Sequence, residues 1–244
     1  MSLVHSNVVL QALSTFTGAN VKSLTEDTID GKELNVFNFL PTTFAKKEAV
    51  DEIDSLQSSC PDLFVDIDKF LDPKFDYDFT HLKDNSICKR GNEPYTRPCG
   101  WTRVAVKVLD KYPDGNAWLG TDGWRSNSVA DEWPVSYHGT SMNGAKAIIG
   151  DHYKPGTGQA YGRGIYSTYD IKEATSYSKT VTCKETGITY NVLLQNRINP
   201  KMRKVCERKP EYWLIEIPAG TPSDKEKKIV EKSIRPYGLL FKAV

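Results

Sequence analysis

Cysteine is scarce and shows no pairing pattern: Cys60, Cys88, Cys99, Cys183 and Cys206 are five in number, widely scattered, and contain no C-x-x-C pair. That usage argues against a disulfide frame and a zinc knuckle, and for reduced thiols. The four histidines, His5, His81, His138 and His152, have no H-E-x-x-H or other ligand spacing, so no metal is expected. No run of about 18 apolar residues exists, and no basic segment followed by an apolar block opens the chain. Neither a membrane span nor an ordinary secretory signal is expected, and the protein is read as soluble. Repeats and low-complexity tracts are missing as well.

Charge of one sign is also lacking overall. The 244 residues carry a formal net charge of +1, which speaks against wholesale coating of nucleic acid. The balance is uneven, however: residues 1–95 hold 9 Lys and Arg against 16 Asp and Glu, and the rest holds 23 against 15. A basic carboxyl half suits an anionic ligand such as a pyrophosphate, or the two halves simply attract each other. At 39% hydrophobic residues the length suits one large or two small domains with a real core.

The amino-terminal third reads mainly as helix. Residues 45–58 place Val50, Ile53 and Leu56 on one stripe, and Pro61 opens a second helical pattern over 62–71 with Leu63, Ile67, Phe70 and Leu71. From Cys99 the period shifts towards two, predicting strands over 102–109, 134–137, 164–167, 189–194, 212–217 and 238–241. Two helices interrupt them, over 142–149 and 171–179, the second with a capping-box signature in Asp170 and Glu173. The pattern predicts an α+β fold with a mixed or antiparallel sheet, preceded by a mainly helical, acidic region over 1–97, with the second domain spanning 98–244.

The glycine cluster over 154–166 mimics a dinucleotide fingerprint with one spacing error in Gly156, Gly158 and Gly162, but a β-type run follows where a Rossmann unit needs a helix. No Gly-Lys-Ser/Thr follows, which excludes a P-loop. Upstream stands Tyr137-His138-Gly139-Thr140, and downstream Glu211-Tyr212-Trp213-Leu214-Ile215 opens another strand. Singly, each has an ordinary structural explanation.

Together they resemble the ADP-ribosyltransferase fold in its poly(ADP-ribose) polymerase and diphtheria-toxin branch, marked by His, Tyr and Glu on separate strands. His138-Gly139-Thr140 resembles that family's His-Gly-Ser/Thr, Gly162-Arg163-Gly164-Ile165-Tyr166 its Gly-Lys-Gly-Ile-Tyr, and Glu211-Tyr212 its Glu-Tyr. Tyr177, eleven residues after Tyr166, falls at the second nicotinamide-stacking tyrosine of the family. Ala174 departs from the serine many relatives carry, leaving the amide contact to the Gly139 backbone.

The resemblance implies an ADP-ribosyltransferase-like split sheet over residues 98–244 and a mono-ADP-ribosyltransferase with NAD as co-substrate. Glu211 is then the catalytic carboxylate, stabilising the oxocarbenium-like charge on the ribose; Glu216 is the fallback, on the opposite strand face. Tyr166 and Tyr177 offer flat faces to nicotinamide, His138 donates to the adenine-side ribose, and Gly139 and Thr140 complete the contact. Arg163 or Lys154 faces the pyrophosphate, or Arg163 is a solvated strand edge. An insertion over 218–228 is an acceptor-recognition element or a hairpin tip.

Residues 194–200 and 234–238 further resemble a group of bacterial and fungal transferases, some bacterial members of which resemble effectors that modify a threonine of host ubiquitin. Ubiquitin is the expected acceptor, met by the acidic amino-terminal third or by Asp131-Glu132. The expected enzyme is a monomer, cytoplasmic or delivered to a host cytosol. An NAD glycohydrolase, and an inactive module binding NAD-like ligands or a partner, are the competing readings.

Overall fold

The computed structural model describes residues 3–25, 32–35, 37, 39, 62–83, 88–120, 127–139 and 161–244. The helices expected over 45–58 and 142–149, Thr140, and the glycine cluster up to residue 160 lie outside the described residues.

Helix α1 (Ser6–Thr17) buries Val8, Val9, Ala12, Leu13 and Phe16 on one stripe and stops at Gly18, whose left-handed φ of 61° lets its N–H close onto the Ser14 carbonyl at 2.8 Å. Three strands follow, β1 (Asn20–Ser23), β2 (Lys32–Glu33) and β3 (Asp62–Val65), forming a small parallel sheet with β3 in the middle.

Here the sequence expectation is corrected. Residues 62–65 are strand, not the first turn of a helix, because Leu63 and Val65 alternate inward and both flanking strands hydrogen-bond to this segment. Helix α2 (Ile67–Phe70) is only four residues long, and the Asp66 side chain caps it by accepting from the Lys69 N–H. The described part of the acidic third is therefore a mixture of strand and helix.

The remaining strands are β4 (Tyr77–Asp78), β5 (Cys88–Arg90), β6 (Glu93–Tyr95), β7 (Thr102–Ala105), β8 (Val135–His138), β9 (Gly164–Thr168), β10 (Lys179–Thr182), β11 (Thr189–Ile198), β12 (Lys204–Val205), β13 (Tyr212–Glu216) and β14 (Ile234–Ala243), with helices α3 (Ile171–Thr175) and α4 (Ser223–Ser233) between them. β5 and β6 make a hairpin. The other nine strands form one antiparallel sheet ordered β12-β13-β9-β8-β11-β14-β7-β4, with β10 also on β11. The α+β class and largely antiparallel sheet are thus as expected.

Long β11 organises this sheet. One edge carries β14 along nearly its whole length; the other carries β10 opposite 189–192 and β8 opposite 194–197, end to end. Both faces of β11 are covered, so Val192, Leu193 and Leu194 are buried consecutively instead of alternating. Val104, Leu194, Leu239 and Trp213 join the core containing α1, while Leu193, Leu240, Tyr137, Tyr166 and Leu214 form a second core on the opposite face.

Segment 218–228, expected as a hairpin tip or a recognition loop, leads into α4. Acidic Asp224 and Glu226 sit in its first turn and Lys232 in its last, a charge order that suits the helix dipole. No described helix is long and apolar enough to cross a membrane.

Candidate functional site

β8 and β9 are neighbours that barely touch. They share the single register pair Tyr137↔Thr168, whereas β9 pairs with β13 at five positions and β8 with β11 at four. Where they part, the buried His138 side chain spans the gap, its Nδ1 lying 2.7 Å from the Tyr166 carbonyl oxygen. A carbonyl only accepts, so Nδ1 carries the proton and donates. In the neutral ring Nε2 is then an acceptor. The donor role expected for His138 towards a ribose hydroxyl needs the protonated ring, in which both nitrogens donate; the neutral ring accepts there.

The next residue explains its own identity. β8 ends where β10 begins along the shared edge of β11, so Gly139 meets the chain entering β10. A Cβ on Gly139 would lie 2.6 Å from the carbonyl carbon, carbonyl oxygen and Cβ of Tyr177. No larger residue fits without moving Tyr177.

Tyr177 is not on the helix as expected. α3 ends at Thr175, and Tyr177 lies in the turn beyond it, its N–H on the Ala174 carbonyl at 3.0 Å. Lys179, expected to end that helix, instead opens β10, in keeping with the β-branched run Thr180-Val181-Thr182. The Tyr177 hydroxyl lies 3.3 Å from that of Tyr212, which donates to Glu173. Burial raises the pKa of both phenols, and the Glu173 bond raises that of Tyr212 further. Glu173 was expected to close a capping box. The Asp170 side chain does cap α3 through the Lys172 N–H, but the Asp170 N–H bonds to Thr168 Oγ1, leaving Glu173 to Tyr212.

Tyr166 is buried in mid-strand on β9. Its hydroxyl donates to the Gly162 carbonyl at 2.8 Å and accepts from the Tyr161 N–H at 3.3 Å. Burial pushes this phenol up to about 12, with Cys206 and Glu216 adding to the effect. Tyr161 in turn accepts from the Arg208 N–H at 3.2 Å, tying the 161–163 turn to the turn before β13.

Glu211 is half-buried in that turn, directly before Tyr212. It acts electrostatically on Cys206, whose thiol is pushed up to about 11 by burial first and then by Glu211 and Glu216, against the opposing Lys204. Glu216, the fallback, ends β13 opposite Gly164 in an exposed ion pair with Lys204 at 2.9 Å. Hydrogen bonds and direct packing thus link His138 to Tyr166, Gly139 to Tyr177 and Tyr177 to Tyr212, and Glu211 is joined to Tyr212 by the peptide bond.

Arg163 is bound within the protein. Its Nη1 donates to the carbonyls of Ile217 at 2.9 Å and Pro218 at 3.1 Å, and its Nη2 lies 3.4 Å from Glu226 on α4. Neither expectation for it, a pyrophosphate contact or a solvated edge, describes this geometry. Ala174 is fully buried in the core with Tyr166. The Asp131-Glu132 docking element also needs correction, since Glu132 is buried and pairs with Arg197 at 3.0 Å. Tyr212 and Glu173 were missed as site residues; their opposed positions on β13 and α3 become visible only once α3 is shortened.

Among the described residues no group of three or more His, Cys, Asp or Glu is arranged to hold a metal. A scan against protein-family models finds no match, and neither does a comparison with curated proteins.

Proposed function

We propose that this protein is an NAD-dependent mono-ADP-ribosyltransferase that moves ADP-ribose to a protein side chain and releases nicotinamide, with a threonine of ubiquitin as the acceptor. The observation that carries the reading is the parting of β8 and β9, with His138, Gly139, Tyr166 and Tyr177 in contact around it and Glu211 beside Tyr212. The ladder opens beyond one pair, His138 stands at the opening, and the residue types around it suit a dinucleotide.

Nicotinamide leaves as a neutral molecule, so the chemistry needs no general acid. It needs negative charge beside a ribose that becomes oxocarbenium-like. Glu211 supplies it, orients the acceptor hydroxyl and takes its proton as the new C–O bond forms. Tyr166 and Tyr177 flank the leaving ring, each hydroxyl satisfied by a neighbour so that the aromatic faces are held in place. His138 accepts from a ribose hydroxyl through Nε2 while Nδ1 fixes its orientation on β9.

The acceptor assignment is tested by incubating wild type and Glu211→Ala with labelled NAD and a eukaryotic lysate, then identifying labelled proteins by mass spectrometry. Wild type alone should label ubiquitin on threonine. Label spread over many proteins would remove the ubiquitin assignment, and NAD consumption without protein label would indicate a glycohydrolase.

A further inference from the structure

The sheet face between β7, β14 and the β5–β6 hairpin holds a cavity of about 310 Å³. Aromatic and aliphatic side chains share its walls, among them Phe75, Phe79, Tyr95 and Tyr237, and its cations are Arg90, Arg97, Arg103 and Arg197. That size lies at the lower end of small-molecule sites.

The arginines of this sheet fall into two kinds. Arg197 pairs with Glu132 at 3.0 Å, Arg235 with Asp114 at 2.9 Å, and Arg203 with Glu93. Arg235 is further enclosed by Tyr112, Trp133 and Trp118, with its Cζ 3.9, 4.5 and 5.0 Å from their ring centroids. These three have structural roles that account for their charge.

Arg103 differs. It has no carboxylate within 4.0 Å among the described residues, and its only hydrogen bond there runs from Nη2 to the Phe75 carbonyl at 2.9 Å. Its Cζ lies 5.6 Å from the Phe79 centroid and 5.7 Å from that of Tyr237, and its stem crosses Gly238, where a Cβ would meet Cδ at 2.7 Å. The glycine and the two rings hold the guanidinium in one position at the cavity wall. Nε is buried without a hydrogen-bond partner, which leaves Nη1 as the donor available to the cavity. Neither acid nearby forms an ion pair with it within 4.0 Å: Asp72 lines the cavity, and Asp76 accepts from the Ala105 N–H at 2.8 Å through Oδ1 while its Oδ2 is buried without a hydrogen-bond partner. Tyr95 remains neutral because burial raises its pKa well out of the physiological range.

Among the described residues that line the cavity, four are arginines (Arg90, Arg97, Arg103 and Arg197) and one is an aspartate (Asp72), and such a positive excess favours an anion. We infer that this cavity is a second ligand site, distinct from the proposed NAD cleft, for a small molecule that carries a planar ring and a terminal oxyanion. The ring stacks among Phe79, Tyr95 and Tyr237, and the oxyanion accepts from Arg103 Nη1. A carboxylate and a phosphate share this chemistry.

The test is calorimetric titration of the full chain, without NAD, using phenyl phosphate and phenylacetate, with inorganic phosphate and benzyl alcohol as half-ligands. At least one ring-bearing anion should bind at ~1 mM or tighter, and each half-ligand about tenfold more weakly. Whichever anion binds more tightly identifies the oxyanion. Arg103→Gln should weaken that binding about tenfold or more. Leu109→Trp, a change at an exposed rim residue of the cavity, should block it even if Arg103→Gln fails to fold. Saturating NAD should leave it unchanged. The inference is overturned if neither ring-bearing anion binds, or if binding survives both substitutions. Either result would leave the transferase proposal standing.

Discussion

Gly139 shows how one missing side chain can set a site. Because its Cβ position lies 2.6 Å from three Tyr177 atoms, two of them backbone, Gly139→Ala must push β8 and the turn before β10 apart. Overpacking of this kind destabilises by about 1–3 kcal/mol, readable as a lower urea midpoint with unchanged slope. Activity should fall further than stability explains, since Tyr177 moves with the turn; a variant with wild-type KM for NAD would contradict the role given to this contact. Glu132 makes the complementary point about charge. It is fully enclosed between Arg197 at 3.0 Å and Arg90 at 3.7 Å, so Glu132→Ala leaves buried cations uncompensated and should cost about 3–5 kcal/mol in chemical denaturation. Asp131→Ala, at the exposed neighbour, should be nearly neutral. Equal effects would mean that the pair is not buried in solution.

At the scale of elements, the expected strands are present with shifted ends, and the shifts have physical reasons. The last strand is expected over 238–241, and proline, which cannot donate to a central ladder, stands just before it at Pro236. β14 begins at Ile234 instead: Pro236 lies opposite Asn196, beside the register shift between Gln195 and Asn196, where the ladder is already irregular. α4 was invisible to periodicity because it is mostly exposed, with Val230 and Ser233 its only buried residues. Its acidic first turn was the signal available. Residues 62–65 were misread because Leu63 and Ile67 also fit a helical spacing, and the parallel partners that decide the matter lie far away in the chain. Arg163 ties β9 to α4, so Arg163→Ala should loosen that helix. Hydrogen exchange of the α4 amides should rise about tenfold or more, while KM for NAD changes by less than about twofold. A large rise in KM with unaltered exchange would return Arg163 to the dinucleotide.

For the molecule as a whole, the class and the sheet were legible from the switch to period two after Cys99, whereas the grouping of His138, Gly139, Tyr166 and Tyr177 came from the family resemblance. The tyrosine–tyrosine–glutamate link through Tyr212 and Glu173 was not legible, because it joins a strand to a helix that ends sooner than its capping signal suggested. The two electrostatic halves of the chain meet where Arg203 of the basic half bonds Glu93 of the acidic one. The arginine-lined cavity shares no lining residue with the proposed NAD site, so each is open to separate substitution.

In the proposed reaction Glu211 supplies the charge that breaks the nicotinamide–ribose bond. Nicotinamide release from NAD by purified wild type and Glu211→Ala, with NAD binding measured in parallel, tests it most directly. Release should fall by about a hundredfold or more, the scale of losing one electrostatic stabiliser, while NAD affinity changes little. Equal release by both proteins would contradict the account.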